Sequence, residues 1–256
     1  MASASVGRRA ASEIEELSLN AWPGLCTWLF DGWIVRFSAG YTRRANSVVP
    51  LGRGRLGLSE KLAACEQRFR AAGLPPTFKM SPAAEPPDLD AALEARGYLR
   101  EAETLVMTRP VVADPHRSPG TARLESPARP EWLRAVSEMN GLSVAQADIH
   151  RRLLSALVPE HVFASREEDG VPVACALGVV EREWLGLFDV GVRADRRRRG
   201  LGLGLVRDLL AWGADHGARR AYLQVVGDNA PARALYAGLG FTEAYRYWYR
   251  RRAGPV

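Results

Sequence analysis

Residues 195–205 read DRRRRGLGLGL, four arginines running into three alternate glycines. Residue types in this pattern can hold an anion. Glycine lets the backbone bend and lets a ligand come close to main-chain N–H groups. Arginine adds charge-assisted bonds to phosphate oxygens. The run is not a Walker loop, because no Gly-Lys-Ser/Thr follows, and GLGLGL lacks the third glycine that G-x-G-x-x-G requires. The same arginines could instead serve nucleic acid, with the C-terminal YRYWYRRR (245–252) offering interleaved aromatics for stacking on bases. A packed edge strand with a solvated tail is the plainer account of that segment. Metal and disulfide chemistry find no support. His116, His150, His161 and His216 lie far apart, and Cys26, Cys65 and Cys175 form no C-x-x-C pair.

An anion cradle of this kind needs a strand before it and a helix after it. Residues 184–192 (WLGLFDVGV) read as a strand. Apolar residues at Leu205, Val206, Leu209 and Leu210 mark a helical face over 203–216. A helix start offers N–H donors without intrahelical partners and the positive end of the helix dipole. The Arg/Gly run between them is therefore placed as an anion site.

Around this turn the second part of the chain reads β-α-α-β-β-β-α-β-α-β. TARLES opens it, and two strands joined at Asp169-Gly170 form a hairpin. RAYLQVV (220–226) is a strand. Asn229 and Pro231 start a short helix that stops at Gly240, and FTEAYRYWYRR closes the chain as a strand. This is a mixed α/β sheet with helices on both faces. In the first part, WIVRF and NSVVPL read as strands and 59–73 as a helix capped by Ser59. An extended PTFKMSP, a short helix over 87–97 and a strand from Leu99 follow. That order repeats the later half of the second part, and ALEARGYL echoes ALYAGLGF, so a duplicated fold is expected. The Pro-rich RPVVADPHRSPG divides the chain into residues 1–110, a linker at 111–120, and residues 121–256.

Composition allows all of this. Of 256 residues 47% are hydrophobic and 25% charged, which is ordinary for a soluble globular chain. The net charge is +6, and 33 of the 35 basic residues are Arg, the usage of GC-rich coding. Only the local placement of arginines then carries functional weight. The start lacks an apolar signal core, and the longest mainly apolar run, 171–180, is about half a membrane span. A cytoplasmic protein in a reducing compartment is expected.

Arg197-Arg198-Arg199-Gly200-Leu201-Gly202 resembles the [RQ]-x-x-G-x-[GA] pyrophosphate loop of the GNAT family, the GCN5-related N-acetyltransferases. Val190-Gly191-Val192 upstream, and Asn229, Ala232, Tyr236, Gly240 and Phe241 downstream, fall in the family's pattern. The resemblance covers about residues 121–252. The first part is similar to a degenerate GNAT half, its PLGRGRLGLSEKL (50–62) only faintly like the loop, and is expected to shape the acceptor side. The resemblance implies acetyl-CoA as co-substrate, no metal, and transfer of an acetyl group to an amine. Val190, Gly191 and Val192 would hold the pantetheine arm and the acetyl carbonyl. The amides of Arg198, Arg199, Gly200, Leu201, Gly202 and Leu203 would hold the pyrophosphate, with Arg197 beside them, and Asn229 would contact the CoA arm. Tyr236 stands at the family's position for the acid that protonates the leaving thiolate.

The base is less legible. Gln224 occupies a place where relatives that acetylate ribosomal-protein N-termini carry Glu, and Gln is no base. Asp189 is the catalytic carboxylate we select, although strand alternation could turn it from the cleft; Glu183 is another. The implied partners are a small-molecule or peptide amine and optionally a second copy of the chain, with neither nucleic acid nor membrane. A non-catalytic acyl-CoA-binding module is the alternative function.

Overall fold

The structure, a computed structural model, describes residues 2–112 and 120–252, with side chains from residue 7 onward. Most of the expected linker, 113–119, lies outside the described residues. The chain divides into two compact units, Met1–Val106 with Val226–Asp228 and Ala244–Val256, and Met107–Val225 with Asn229–Glu243. The last strand thus belongs largely to the first unit, whereas the sequence division left it in the second. No helix among the described residues is long and apolar enough to cross a membrane.

The first unit holds α1 (Ala2–Ala21), β1 (Cys26–Phe30), β2 (Trp33–Phe37), β3 (Val48–Val49), α2 (Leu58–Ala71), β4 (Thr77–Met80), α3 (Leu89–Ala95) and the start of β5 (Leu99–Pro110). Most of β11 (Thr242–Arg251) joins them, giving the strand order β1-β2-β3-β4-β11-β5. β4 pairs antiparallel with β11, Trp248 opposite Met80, and this ladder draws the chain end into the unit. Trp33, Val35, Leu62, Phe69, Phe78 and Tyr98 form the core between sheet and helices.

Sequence reading missed α1 and β1, and the reason for α1 is physical. Its buried residues are Ala11, Ile14, Glu15, Leu17, Ser18 and Ala21, a helical spacing that includes two polar residues. Glu15 is fully buried because Lys79 of β4 lies 2.6 Å away and the Tyr245 hydroxyl donates to it at 2.9 Å. Lys79 also lies 4.0 Å from the Tyr247 ring centre. The expected cap at Ser59 is corrected too. Gly57 is the N-cap of α2, and Ser59 instead accepts from Arg96 Nη2 at 2.9 Å.

The loop 50–57, placed in the repeat as the second unit's Arg/Gly run is, is occupied by the chain itself. Asp31 and Gly32 make the β1–β2 turn, both at positive φ. Gly32 and Gly52 approach so closely that a Cβ on Gly32 would sit 2.8 Å from the Gly52 backbone. That contact brings the Asp31 carboxylate to the amides of Arg55, at 2.8 Å, and Leu56, at 3.0 Å. Buried Lys61 donates to Asp31 O at 2.6 Å and Arg53 O at 3.0 Å, and its ammonium lies 3.3 Å from the same carboxylate. These amide bonds hold the Asp31 carboxyl below its ordinary value.

The second unit carries β6 (Arg123–Glu125), α4 (Pro130–Met139), α5 (Val144–Ser155), β7 (Glu160–Glu168), β8 (Val171–Glu181), β9 (Trp184–Val192), α6 (Leu201–Asp215), β10 (Arg220–Val226) and α7 (Ala230–Gly238). The order is the one read from the sequence. β10-β9-β8-β7-β6 lie side by side, β10 and β9 parallel and the others antiparallel. Gly213 of α6 lies against Leu185 of β9, while Trp132 of α4 donates to the Ala164 carbonyl of β7 at 2.9 Å.

Two outcomes are expected. Lys79→Met leaves Glu15 buried without its cation and should cost about 3–5 kcal/mol in urea denaturation. Replacing both Glu15 and Lys79 by apolar residues should recover much of that loss. Because the folded Asp31 pKa is lowered, its stabilisation is complete above the unfolded value near 4 and disappears as pH falls through the folded value. In Asp31→Asn this part of the acid-side stability slope should be missing.

Candidate functional site

β9 and β10 run parallel from Trp184 opposite Arg220 to Leu187 opposite Leu223, and there their pairing ends. Burial along β9 fades at the same place, from buried through Phe188 to half-buried from Asp189 onward. The cause is visible on the other side. Cys175 of β8 faces Gly191 and Leu177 faces Phe188, so β9 carries one extra residue between them. Asp189 sits in this bulge at φ 48°, left-handed for a residue with a Cβ.

The bulge also reverses alternation. Counting by twos from Leu185, which packs under α6, would put Asp189 and Gly191 on the α6 face. A Cβ on Gly191 would instead meet Met139 Sδ of α4 at 3.3 Å, and it is Val192 that lies under α6, beside Gly202. Asp189 reaches α5, where its Oδ2 is 2.7 Å from His150 Nε2. The side chains are 9% and 1% exposed. Sequence reading left His150 unused, and its partner is 39 residues away. One signal was available. His150 shares a helical face with Leu153 and Leu154, and a buried polar ring on such a face needs a polar partner.

The Arg/Gly run is the turn from β9 to α6, as expected, though the helix begins at Leu201 and not at 203. A short 3-10 turn covers Ala194–Arg196; then Arg198, at φ 62°, and Gly200, at φ 75°, bend the chain back. Gly200 is the N-cap and supplies no side-chain cap; the first helical bond runs from Gly204 N to Gly200 O at 2.9 Å. The amides of Leu201, Gly202 and Leu203 therefore begin the helix without intrahelical acceptors. Gly202 is buried where three elements meet, with positions for a Cβ 3.3 Å from Val192 of β9 and 3.6 Å from Leu235 of α7. Gly204 makes room for Arg166 of β7, whose guanidinium bonds Asp208 at 2.6 Å and would lie 2.8 Å from a Cβ at 204.

The arginines are less free than their number suggests. Arg196 bonds Glu168 at 2.6 Å and Asp195 at 2.7 Å, and Arg193 bonds Asp195 at 2.7 Å. These bonds lower the carboxyl pKa values, through Arg196 at Glu168 and chiefly through Arg193 at Asp195. Arg197, Arg198 and Arg199 are exposed, Arg197 Nε donating to the Val192 carbonyl at 3.2 Å.

α7 starts at Asn229, whose Oδ1 accepts from Ala232 N at 3.2 Å. Seven residues on, Tyr236 is 8% exposed, with its ring edge-on to Phe241 at 6.0 Å. Burial pushes its phenol up to about 12. Gln224 is half-buried on β10, one residue past the end of pairing. Glu183 stands at the opposite end of β9, exposed and 3.2 Å from Arg219, too far to serve the open end.

The C-terminal aromatic segment, a separate candidate for nucleic-acid stacking, is structural. Tyr247 and Tyr249 are buried. Trp248 Nε1 donates to Asp90 Oδ1 at 2.7 Å, and Arg250 binds Asp90 at 2.8 and 2.9 Å.

Comparison with known proteins gives a consistent picture. The family model described as "Probable histone acetyltransferase Rv0428c C-terminal" matches residues 10–250. The protein named "Uncharacterized N-acetyltransferase YobR" of Bacillus subtilis is 26% identical over 246 residues, spanning 93% of this chain and 97% of its own. A GCN5-related N-acetyltransferase from Kribbella flavida superposes with TM-score 0.63 at 18% identity, covering 96% of both chains. A tandem GNAT protein from the clavulanic acid biosynthesis pathway does so with TM-score 0.60 at 18% identity, covering 95% of this chain and 88% of its own. The fold is that of the acyl-CoA N-acyltransferases.

Gly202 and Gly204 differ in what an added side chain would meet. Gly202→Leu would wedge α6 from Val192 and Leu235. It should cost about 1–3 kcal/mol in urea denaturation. Gly204→Ala presses only on the end of the Arg166 side chain and should cost less than Gly202→Leu in the same measurement.

Proposed function

Because this chain belongs to the Rv0428c C-terminal family and is an N-acetyltransferase of the GNAT type, we propose that it moves the acetyl group of acetyl-CoA to a primary amine in one direct displacement. The observation that carries this reading is the parting of β9 from β10 beside an uncapped helix start. An acyl-CoA needs backbone N–H donors, and a strand end past its ladder and an uncapped helix start support the reading. The amides of Leu201, Gly202 and Leu203 bind the pyrophosphate, assisted by Arg197, Arg198 and Arg199 at the surface. Val190, Gly191 and Val192 hold the pantetheine arm and the acetyl carbonyl. Asn229 spends its side-chain oxygen on the α7 cap, so its contact with the CoA arm runs through its remaining groups.

The thioester supplies an activated acyl carbon. The amine nitrogen attacks it, the carbonyl oxygen takes negative charge, and the C–S bond then breaks to release a thiolate. One fixed N–H donor at the oxyanion is worth about 3–4 kcal/mol, and the freed β9 edge is suited to provide it. Tyr236 protonates the sulfur, and the proton that the amine nitrogen sheds as the amide forms returns through water to the phenolate. Its burial keeps the phenol protonated over the working pH range, so it meets the departing sulfur as a donor. The amine arrives largely as ammonium and loses its proton to water before attack. Asp189 enters through the bulge it occupies, since its carboxylate is committed to His150 and nearly buried.

The same commitment, with Gln224 in place of a carboxylate, favours the second reading, an acyl-CoA-binding module without turnover. Steady-state release of free CoA with a panel of small-molecule and peptide amines decides between them; saturable release with at least one amine is expected. Calorimetry should find one acetyl-CoA per chain, because Asp31 already occupies the loop amides of the first unit. Binding to duplex DNA should be weak at physiological salt, since the Arg run is partly paired within the chain.

Tyr236→Phe should lower turnover about 100-fold, the usual scale for loss of a positioned acid. Its acetyl-CoA affinity should stay within twofold, since the ring and its packing on Phe241 remain. Normal turnover in this variant would remove Tyr236 from the mechanism.

A further inference from the structure

We propose that His150 is a positioning residue for acyl transfer: through Asp189 it fixes the peptide between residues 189 and 190, and so aims the amides of the β9 bulge at the acetyl carbonyl. The inference rests on the acetyl-CoA reading above and assigns a part to a residue outside the cleft.

The register of the local ladder passes over that peptide. Asp189 and Val190 have no partner in the β8 register, which passes from Leu177 opposite Phe188 to Cys175 opposite Gly191. On the other edge the β10 register has ended at Leu187. Asp189 is also held at φ 48°, a region that a residue with a Cβ occupies only when its surroundings over-determine it. The contact able to do so is the 2.7 Å bond between Asp189 Oδ2 and His150 Nε2. Peptide planarity makes this local bond effective. Rotation at Asp189 swings the whole 189–190 plane, and with it the direction of the Val190 N–H.

His150 is well placed to be an anchor and badly placed to be a reactant. Its side chain is 1% exposed, and it shares the buried face of α5 with Leu153 and Leu154. The start of α5 is tied by a capping box, Gln146 N to Ser143 Oγ at 3.3 Å and Ser143 N to Gln146 Oε1 at 3.0 Å. A rigid helix therefore carries the ring. The carboxylate it grips lies on a strand that has left one neighbour and slipped against the other. Losing the ring would leave the bulge free to relax, and with it the hydrogen bond that polarises the carbonyl.

Isotope-edited infrared spectroscopy of acetyl-CoA labelled with 13C at the thioester carbonyl reads this directly. Donation of N–H groups to that carbonyl lowers its stretching frequency relative to free acetyl-CoA. The wild-type complex should show the lowered band. In His150→Leu the band should return most of the way to the free value, while the acetyl-CoA Kd measured by calorimetry changes less than threefold. Amine-dependent release of free CoA should fall at least tenfold. His150→Gln keeps an N–H donor within reach of Asp189 and should retain the lowered band.

A band that stays at the lowered wild-type frequency in folded His150→Leu overturns the proposal, as does a Gln variant that behaves like Leu. Should His150→Leu fail to fold, Asp189→Ala removes the other half of the bond; its band must move as predicted for Leu, and a wild-type band there overturns the proposal equally. A wild-type protein that does not bind acetyl-CoA, or binds it without lowering the band, sinks the acetyl-CoA reading itself and this inference with it. A lowered wild-type band that survives in the variants sinks the role of His150 alone.

Discussion

Two parallel strands that stop pairing leave each other without a ladder partner on that edge, and the candidate site depends on that fact. β9 and β10 share a ladder through Leu187 and Leu223 and then part. Unpaired backbone in a protein interior is costly unless something else satisfies it. Here it lies at a half-buried strand end, within reach of solvent and of a ligand. The extra residue at Asp189 maintains the parting by bending β9 and reversing its alternation. Gly191 then lies against α4 and Val192 under α6, which seats the first turn of α6 at the open end.

The two units show one plan, with a glycine N-cap and no side-chain cap at the long helix of each, and differ in the loop before it. Both carry a strand, a Gly-rich loop, a long helix, a strand and a short helix in the same order. In the first unit the turn between β1 and β2 delivers a carboxylate to the loop amides, and buried Lys61 secures it from beneath. In the second unit Gly200 caps α6 with no side chain, and the amides of the first turn keep their capacity for an external anion. A carboxylate from the chain and a phosphate from a ligand satisfy the same kind of donor.

Charge explains less of this than the composition suggests. The Arg run is flanked by Asp195 and Glu168, which bind Arg193 and Arg196 and leave mainly the backbone and the outer arginines for a ligand. The other Arg-rich segment ends in ion pairs from Arg250 to Asp90 and Glu94. Arginine serves packing and pairing through much of this chain, so its abundance alone says little about function.

By itself the sequence determined the order of elements in the second unit, the turn from β9 to α6, the cap at Asn229 and the position of Tyr236. These follow from local periodicity, from glycine and proline, and from a motif whose members are close in sequence. It missed α1, whose buried Glu15 and Ser18 make sense only with Lys79 and Tyr245 in place. It left the last strand in the second part, because strand pairing with β4 is not a local property. The face of Asp189 was open for the same reason. Alternation is local, but a bulge is defined by the register of two strands, and only the fold supplies the second. Tertiary structure alone brought His150 to Asp189, since nothing in their spacing along the chain joins a buried ring on one helix to a carboxylate on a strand.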